Sequence, residues 1–140
     1  MNKIIKKEFI KNLTDGSYDQ CQGKLHNNLD QSFCCLGVLA DMYIKATGKA
    51  NWDSGDEEEF TESYTLHTHS TGGYDEYYPP KEVVEWAGLD YYPEGRLCSD
   101  LADTMDYAER FKAGIIGHLA KMNDMGKSFK EIAKFVEDRV

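Results

Sequence analysis

SFCCLGVLADMYIKATG, Ser32 to Gly48, has the spacing of a helix that faces the protein core, so the other elements are expected to pack around it. Ser32 is the predicted N-cap of this helix and Gly48 its C-terminal stop. Gly37 lies on the outer strip, where the lack of a side chain permits another backbone to approach closely. The apolar residues repeat at i, i+3 and i+4 positions and form one stripe: Cys35, Leu36, Leu39, Met42, Tyr43 and Ala46.

The residues before this core helix predict a first helix and a β-ribbon. Asp15-Gly16 ends a helical pattern whose apolar residues recur close to the helical period: Ile4, Ile5, Phe9, Ile10 and Leu13. The next segment, SYDQCQGKLHNNLDQSF, spaces its apolar residues irregularly around Gly23 and the turn-prone Asn27-Asn28. Such spacing favours a short hairpin or irregular ribbon.

The residues after the core helix predict short strands and then helices. The acidic, Gly-rich and Tyr-rich segment from Asn51 to Pro80 predicts an exposed loop that leads into short strands. PPKEVVEWAGL, which begins at Pro79, predicts a short helix that Gly88 ends. For the segment from Arg96 to Phe111 we prefer short strands.

The C-terminal residues predict an αα-hairpin. Residues 123–126, with the sequence NDMG, are its predicted turn, and Ser128 with Glu131 matches a capping box for the last helix. Each of the two helices is predicted to bury one apolar stripe. The stripe before the turn comprises Ile115, Ile116, Leu119 and Met122, and the stripe after it comprises Phe129, Ile132, Phe135 and Val136. The fold class that follows is α+β, with residues 1–140 forming a single domain.

The formal net charge of −9 is concentrated in the middle of the chain, where residues 51–95 carry one Lys against twelve acidic residues. Direct nucleic-acid binding is not expected, because it needs clustered Lys and Arg, and we interpret Lys127, Lys130 and Lys134 as a solvated helix face. A basic protein partner fits the charge better. No window resembles a membrane span or a signal peptide, so a cytoplasmic protein with free thiols is expected.

Four motifs along the chain occur together in one set of proteins. In order they are GSYDQCQGKL, SFCCLGVLADMY, YYPPKEVVEWAGL and LAKMNDMGKSFKEIAKFVED. This combination resembles a mostly uncharacterised set of small proteins from tailed bacteriophages and bacteria. The resemblance covers most of the chain and implies an accessory protein that acts in the bacterial host cell and interferes with a host system. The acidic insert from Asp53 to Glu62 departs from the pattern of the set.

Cys34 and Cys35 permit two interpretations. A thiol at a helix N-terminus can have a lowered pKa and act as a nucleophile, but none of the four His residues has a spacing that identifies it as the base. Buried Cys is also an ordinary small apolar residue, and we favour that role. We expect no metal and no cofactor, because His67 and His69 lack the spacing of a zinc site and the acidic loop lacks that of a calcium site.

Aromatic residues interleaved with acids predict a surface that binds a partner. We therefore interpret the chain as a non-enzymatic protein that inhibits a host component through these residues: Asp53, Glu57, Glu58, Glu59, Glu62, Tyr74, Tyr77 and Tyr78. Sequestration of a small nucleotide-like ligand in a pocket formed by Gln20, Gln22 and Gly23 with these aromatic residues is the alternative, and a cysteine-dependent enzyme is a further one. The sequence leaves the oligomeric state open.

Overall fold

The computed structural model describes residues 1–54, 62–69, 74–89 and 114–140. Within these ranges five helices accompany one antiparallel sheet, which has the strand order β1-β2-β3. The helices are α1 (Lys3–Thr14), α2 (Cys35–Thr47), α3 (Lys81–Trp86), α4 (Ile115–Asp124) and α5 (Phe129–Arg139); the strands are β1 (Ala50–Asp53), β2 (Thr65–Thr68) and β3 (Tyr74–Asp75). The α+β prediction is confirmed. The strands expected between Arg96 and Phe111 lie outside the described residues.

Helix α2 is the centre of the fold, and α1, α3, α4 and β1 all pack against it. Every residue from Cys35 to Tyr43 is buried, so the predicted apolar stripe was too narrow there, and it extended too far at its end, because Ala46 is exposed. Gly37 is buried rather than on an outer strip, but the predicted close approach is confirmed. A Cβ atom at Gly37 would lie 1.8 Å from the carbonyl oxygen of Leu25, so the ribbon backbone rests directly on the helix.

The start of α2 differs from the prediction by two residues. Cys34 is the N-cap, with extended backbone angles and a sulfur that accepts a hydrogen bond from the Gly37 N–H at 3.3 Å. Ser32 instead donates its hydroxyl and its N–H to the carboxylate of Asp30. The predicted C-terminal stop is confirmed, because Gly48 has the left-handed φ of 66° that favours glycine.

Helices α1 and α5 pack against each other and close the core on one side. Phe9 and Leu13 are the buried residues of α1, and the predicted capping box of Ser128 and Glu131 is present at the start of α5. At the far end the ammonium group of Lys6 donates to the carbonyl of Glu137 at 3.1 Å. The predicted αα-hairpin is confirmed, since α4 and α5 follow each other through residues 125–128.

The segment between α1 and α2 is an irregular ribbon, as predicted. Isolated bridges join Phe33 to Gln20 and to His26, and another joins Asn27 to Ser63. The sheet beside it is small, with Ala50 opposite Thr68 at one end of the β1-β2 pair. No helix in the described ranges has the length and apolar character of a membrane span.

Candidate functional site

The polar residues of the ribbon are attached to the αα-hairpin. Gln20 donates its amide hydrogens to the side-chain oxygen of Asn123 at 2.9 Å and to the carbonyl of Lys127 at 2.8 Å. The N–H of Gly23 donates to the carboxylate of Asp124 at 2.9 Å. Gln20 and Gly23, which the sequence suggested as ligand-binding residues, therefore hold the ribbon and the αα-hairpin together.

Asn123 is the centre of this attachment and is fully buried. Its side-chain oxygen also accepts from the N–H of Cys35 at 3.1 Å, and its amide nitrogen donates to the carbonyl of Cys21 at 2.7 Å. The sequence placed Asn123 in a turn, which was wrong, because it lies in the last turn of α4. A buried amide with these partners joins the ribbon, α2 and α4 at one point.

Neither Cys34 nor Cys35 has the surroundings of a nucleophile. Burial raises the pKa of the Cys34 thiol to about 12 and that of the Cys35 thiol well above its ordinary value. The sulfur of Cys35 donates to the carbonyl of Leu119 at 3.5 Å, and that of Cys34 caps α2. A thiol with a raised pKa is almost entirely protonated at neutral pH, so the arrangement opposes nucleophilic chemistry and favours packing.

We expect both thiols to resist alkylation in the native protein at pH 7, and Cys35→Ser to destabilise the fold by about 1 to 3 kcal/mol. Cys34→Ser should cost less, because a serine oxygen caps a helix well. Iodoacetamide labelling with peptide mapping measures the first expectation and urea denaturation the second. Rapid, stoichiometric labelling of either residue in the folded protein would contradict a packing role.

Tyr77 and Tyr78 border a groove along α4. The segment before them is held to the ribbon by a hydrogen bond from the Leu25 N–H to the Glu76 carbonyl at 3.0 Å. Tyr77 is 56% exposed, whereas Tyr78 is half-buried and packs against the core. The first part of the groove has a volume of about 290 Å³ and is lined by Gly23, Lys24, Cys34, Tyr77, Tyr78, Ala120 and Asp124.

A second part of the groove, of about 440 Å³, shares Tyr78 and Asp124 with the first and extends to Lys121 and Met125. Met125 is 69% exposed, so Tyr77 and Met125 are two exposed apolar side chains at one groove. Burial raises the pKa of Tyr78, and the nearby Asp124 carboxylate raises it further. Tyr78 is therefore a neutral hydrogen-bonding group between the two parts.

The acidic residues predicted to bind a partner are only partly described. The carboxylate of Glu62 lies 3.9 Å from the ammonium of Lys24, which places Glu62 beside the groove. Asp53 is half-buried at the end of β1. Tyr74 pairs with His67 through the β-sheet backbone. Glu57, Glu58 and Glu59 lie outside the described residues.

Half-buried aromatic residues surround the buried His26. Its ring is stacked between Phe33 and Tyr64, with centroid separations of 3.8 and 4.2 Å, and the Trp52 ring lies edge-on at 4.9 Å. His26 is 5% exposed, and within the described part of the chain neither ring nitrogen has a hydrogen-bond partner. Burial lowers the pKa of His26 to about 4 although the Asp41 carboxylate opposes the shift.

We expect the free energy of unfolding to fall by roughly 3 kcal/mol between pH 6.5 and pH 4, because the unfolded chain binds a proton at His26 in this interval and the folded protein does not. The stability associated with neutral His26 is fully present above pH 6.5 and is lost as the pH falls towards 4. His26→Phe should flatten this slope, as measured by urea denaturation across the interval. His118→Phe, a change at an exposed histidine, is the control, and an unchanged slope in His26→Phe would contradict the role of His26.

A separate cleft lies between α1 and α2 and has a volume of about 770 Å³. At one wall Asp41 accepts hydrogen bonds from the Tyr18 hydroxyl at 2.6 Å, the Lys45 ammonium at 3.0 Å and the Trp52 indole N–H at 3.1 Å. Burial opposes ionisation of Asp41, but these three hydrogen bonds outweigh it and lower its pKa. The cleft shares no described lining residue with the groove along α4.

Comparison with known proteins gives a family but no characterised relative. A family model described as a domain of unknown function, DUF8296, matches residues 1–140. The chain belongs to this family. No curated protein and no solved structure matches the DUF8296 chain. The predicted resemblance is therefore confirmed as membership of an uncharacterised family.

Sequence reasoning missed two of the buried polar residues in the described part of this DUF8296 protein, Asn123 and Asp41. Asn123 is bonded to Gln20, which is 103 positions away, and a single sequence carries no signal for that pairing. Asp41 is buried although it is charged, and Lys45 four residues later is the usual sign of a helix ion pair. Asn123 and Asp41 both connect separate parts of the chain through side-chain hydrogen bonds.

Proposed function

We propose that this DUF8296 protein is a non-enzymatic accessory protein, of the kind encoded by phages, that binds and inhibits a component of the bacterial host. Its partner is a protein, and the binding surface is the groove formed by Tyr77, Tyr78, Asp124 and Met125 along α4. The single observation that supports this choice is the exposure of Tyr77 and Met125 at the same groove. Tyr and Met are enriched in protein interfaces.

The acidic middle of the chain favours a partner with a basic surface, although the groove itself carries Lys24 and Lys121 beside Asp124. The middle of the chain is strongly acidic, and Glu62, whose side chain is 70% exposed, lies next to groove residue Lys24. Complementary charge speeds association more than it strengthens a complex. In this proposal Asp53 and the acidic residues at positions 57–59 also attract the basic partner and so speed its association.

The high pKa values of the buried thiols favour binding over cysteine catalysis. Sequestration of a ligand at Gln20, Gln22 and Gly23 has less support than protein binding. The Gln20 amide nitrogen and the Gly23 N–H already have partners inside the protein. A ligand at this place would have to compete with those bonds.

We expect Tyr77→Ala to weaken binding to the host partner about 30-fold, because a central aromatic anchor contributes about 2 kcal/mol or more to a protein interface. The melting temperature should change little, since Tyr77 is more than half exposed. The measurement is affinity capture from a bacterial lysate with quantitative mass spectrometry, followed by titration with the purified partner.

Leu29→Ala is the matched control for this experiment, because Leu29 is 61% exposed and lines neither the groove nor the cleft between α1 and α2. A partner that is captured by the native protein and by Leu29→Ala, but not by Tyr77→Ala, supports the proposal. Equal capture by all three proteins would exclude Tyr77 as an anchor and with it the proposed surface.

A further inference from the structure

Part of the lining of the cleft between α1 and α2 is apolar. Ile4 and Ile5 of α1 and Met42 of α2 contribute aliphatic side chains, and Trp86 at the end of α3 contributes an aromatic one. Ligand sites typically measure about 300 to 1,000 Å³ and combine such apolar walls with a few polar groups. The cleft, at about 770 Å³, matches this description.

The charged groups of the cleft do not balance. Lys45 donates to the Asp41 carboxylate at 3.0 Å and to the Tyr18 hydroxyl at 3.1 Å, so its positive charge is compensated within the protein. The third charged group is Glu8, an exposed residue of α1 that has no ion-pair partner within the described residues. The uncompensated charge of the cleft is therefore one carboxylate.

We infer that this cleft is a second binding site, separate from the groove along α4, and that it takes a planar aromatic molecule carrying a single positive charge. The ring system lies against Trp86 and the aliphatic side chains, and its cationic group lies near Glu8. The face of an aromatic ring attracts cations as well as apolar groups, so Trp86 adds to the selectivity of the cleft for a cationic ligand.

The same charges oppose nucleotides and other aromatic anions. A phosphate group needs free cationic side chains or free backbone N–H groups, and the one described cation at the cleft, Lys45, already has Asp41 as its partner. An aromatic anion would also meet the Glu8 carboxylate. The sign of the ligand charge is thus the property that the cleft distinguishes.

Isothermal titration calorimetry with two probes tests this inference: proflavine, a three-ring cation, and anilinonaphthalene sulfonate, an aromatic anion. We expect one proflavine to bind per chain with a Kd of about 100 µM, the level that its atom count supports, and the anion to bind at least about tenfold more weakly. Ala46→Trp, at an exposed lining residue, should fill the cleft and abolish proflavine binding.

Glu8→Gln should weaken proflavine binding about two- to fivefold, which is the usual effect of one partly exposed ion pair. Glu137→Gln removes one exposed carboxylate outside the cleft and serves as the matched control for net charge. The inference is overturned by any of three results: no saturable binding of proflavine up to about 1 mM, unchanged binding in Ala46→Trp, or equal losses in Glu8→Gln and Glu137→Gln.

Discussion

Gly37→Ala is expected to destabilise the protein by about 4 kcal/mol or more, which is at the extreme of single substitutions. The new methyl carbon would lie 1.8 Å from the Leu25 carbonyl oxygen and 2.7 Å from the carbonyl carbon. Both atoms belong to the backbone, so no rotamer change can relieve the overlap. The ribbon must instead move away from α2, and the hydrogen bond from the Cys34 N–H to the same carbonyl, at 3.1 Å, is then lost.

Chemical denaturation followed by circular dichroism measures this effect. Ala46→Ser is the control on the same helix, because Ala46 is exposed, and it should change the free energy of unfolding by less than about 0.5 kcal/mol. Wild-type stability in Gly37→Ala would mean that the ribbon does not rest on α2 as described. A protein that is too unstable to purify agrees with the expectation, and its soluble yield can be compared with that of Ala46→Ser.

Asn123→Ala is expected to cost about 3 to 5 kcal/mol, since it leaves several buried polar groups without partners in a low-dielectric interior. The Cys35 N–H and the Cys21 carbonyl each lose a side-chain hydrogen bond. The loss should also loosen the ribbon from the hairpin, and faster hydrogen exchange of the Cys21 and Gly23 amides would report that loosening.

Gln20→Ala is the companion variant that separates the buried centre from its exposed end. It removes the bonds to Asn123 and Lys127 but leaves the Cys35 N–H with its acceptor. The expected cost is about 1 kcal/mol, the ordinary contribution of a partly exposed hydrogen bond. A smaller loss of stability in Asn123→Ala than in Gln20→Ala would contradict the central role of Asn123.

Much of the fold was predictable because its signals are local. The stripe in α2, the left-handed Gly48 stop and the capping box of Ser128 with Glu131 are each contained within a few turns of helix. The N-cap of α2 was predicted wrongly for a reason that is also local. Ser32 is the better N-cap by residue type, but its hydroxyl bonds to Asp30, and a cysteine sulfur caps the helix instead.

The candidate sites were less predictable, because they depend on contacts between distant parts of the chain. The sequence proposed Tyr77 and Tyr78 as equivalent contact residues, whereas one is exposed and the other packs against the core. The alternative that combined Gly23 with such aromatic residues in one pocket agrees with the geometry, because Gly23, Tyr77 and Tyr78 line one groove. The cleft between α1 and α2 had no signal, since its walls combine residues from three helices and from the ribbon.

Site-specific photocrosslinking in bacterial cells tests the proposed binding surface most directly. Benzoylphenylalanine is introduced at Tyr77 in one protein and at Leu29, another exposed apolar residue that does not line the groove, in the other. Because this reagent reacts only with atoms in contact, we expect irradiation to produce one dominant adduct with a host protein from position 77 and none from position 29. The absence of an adduct from position 77, or the same adduct from both positions, would contradict binding through the groove along α4.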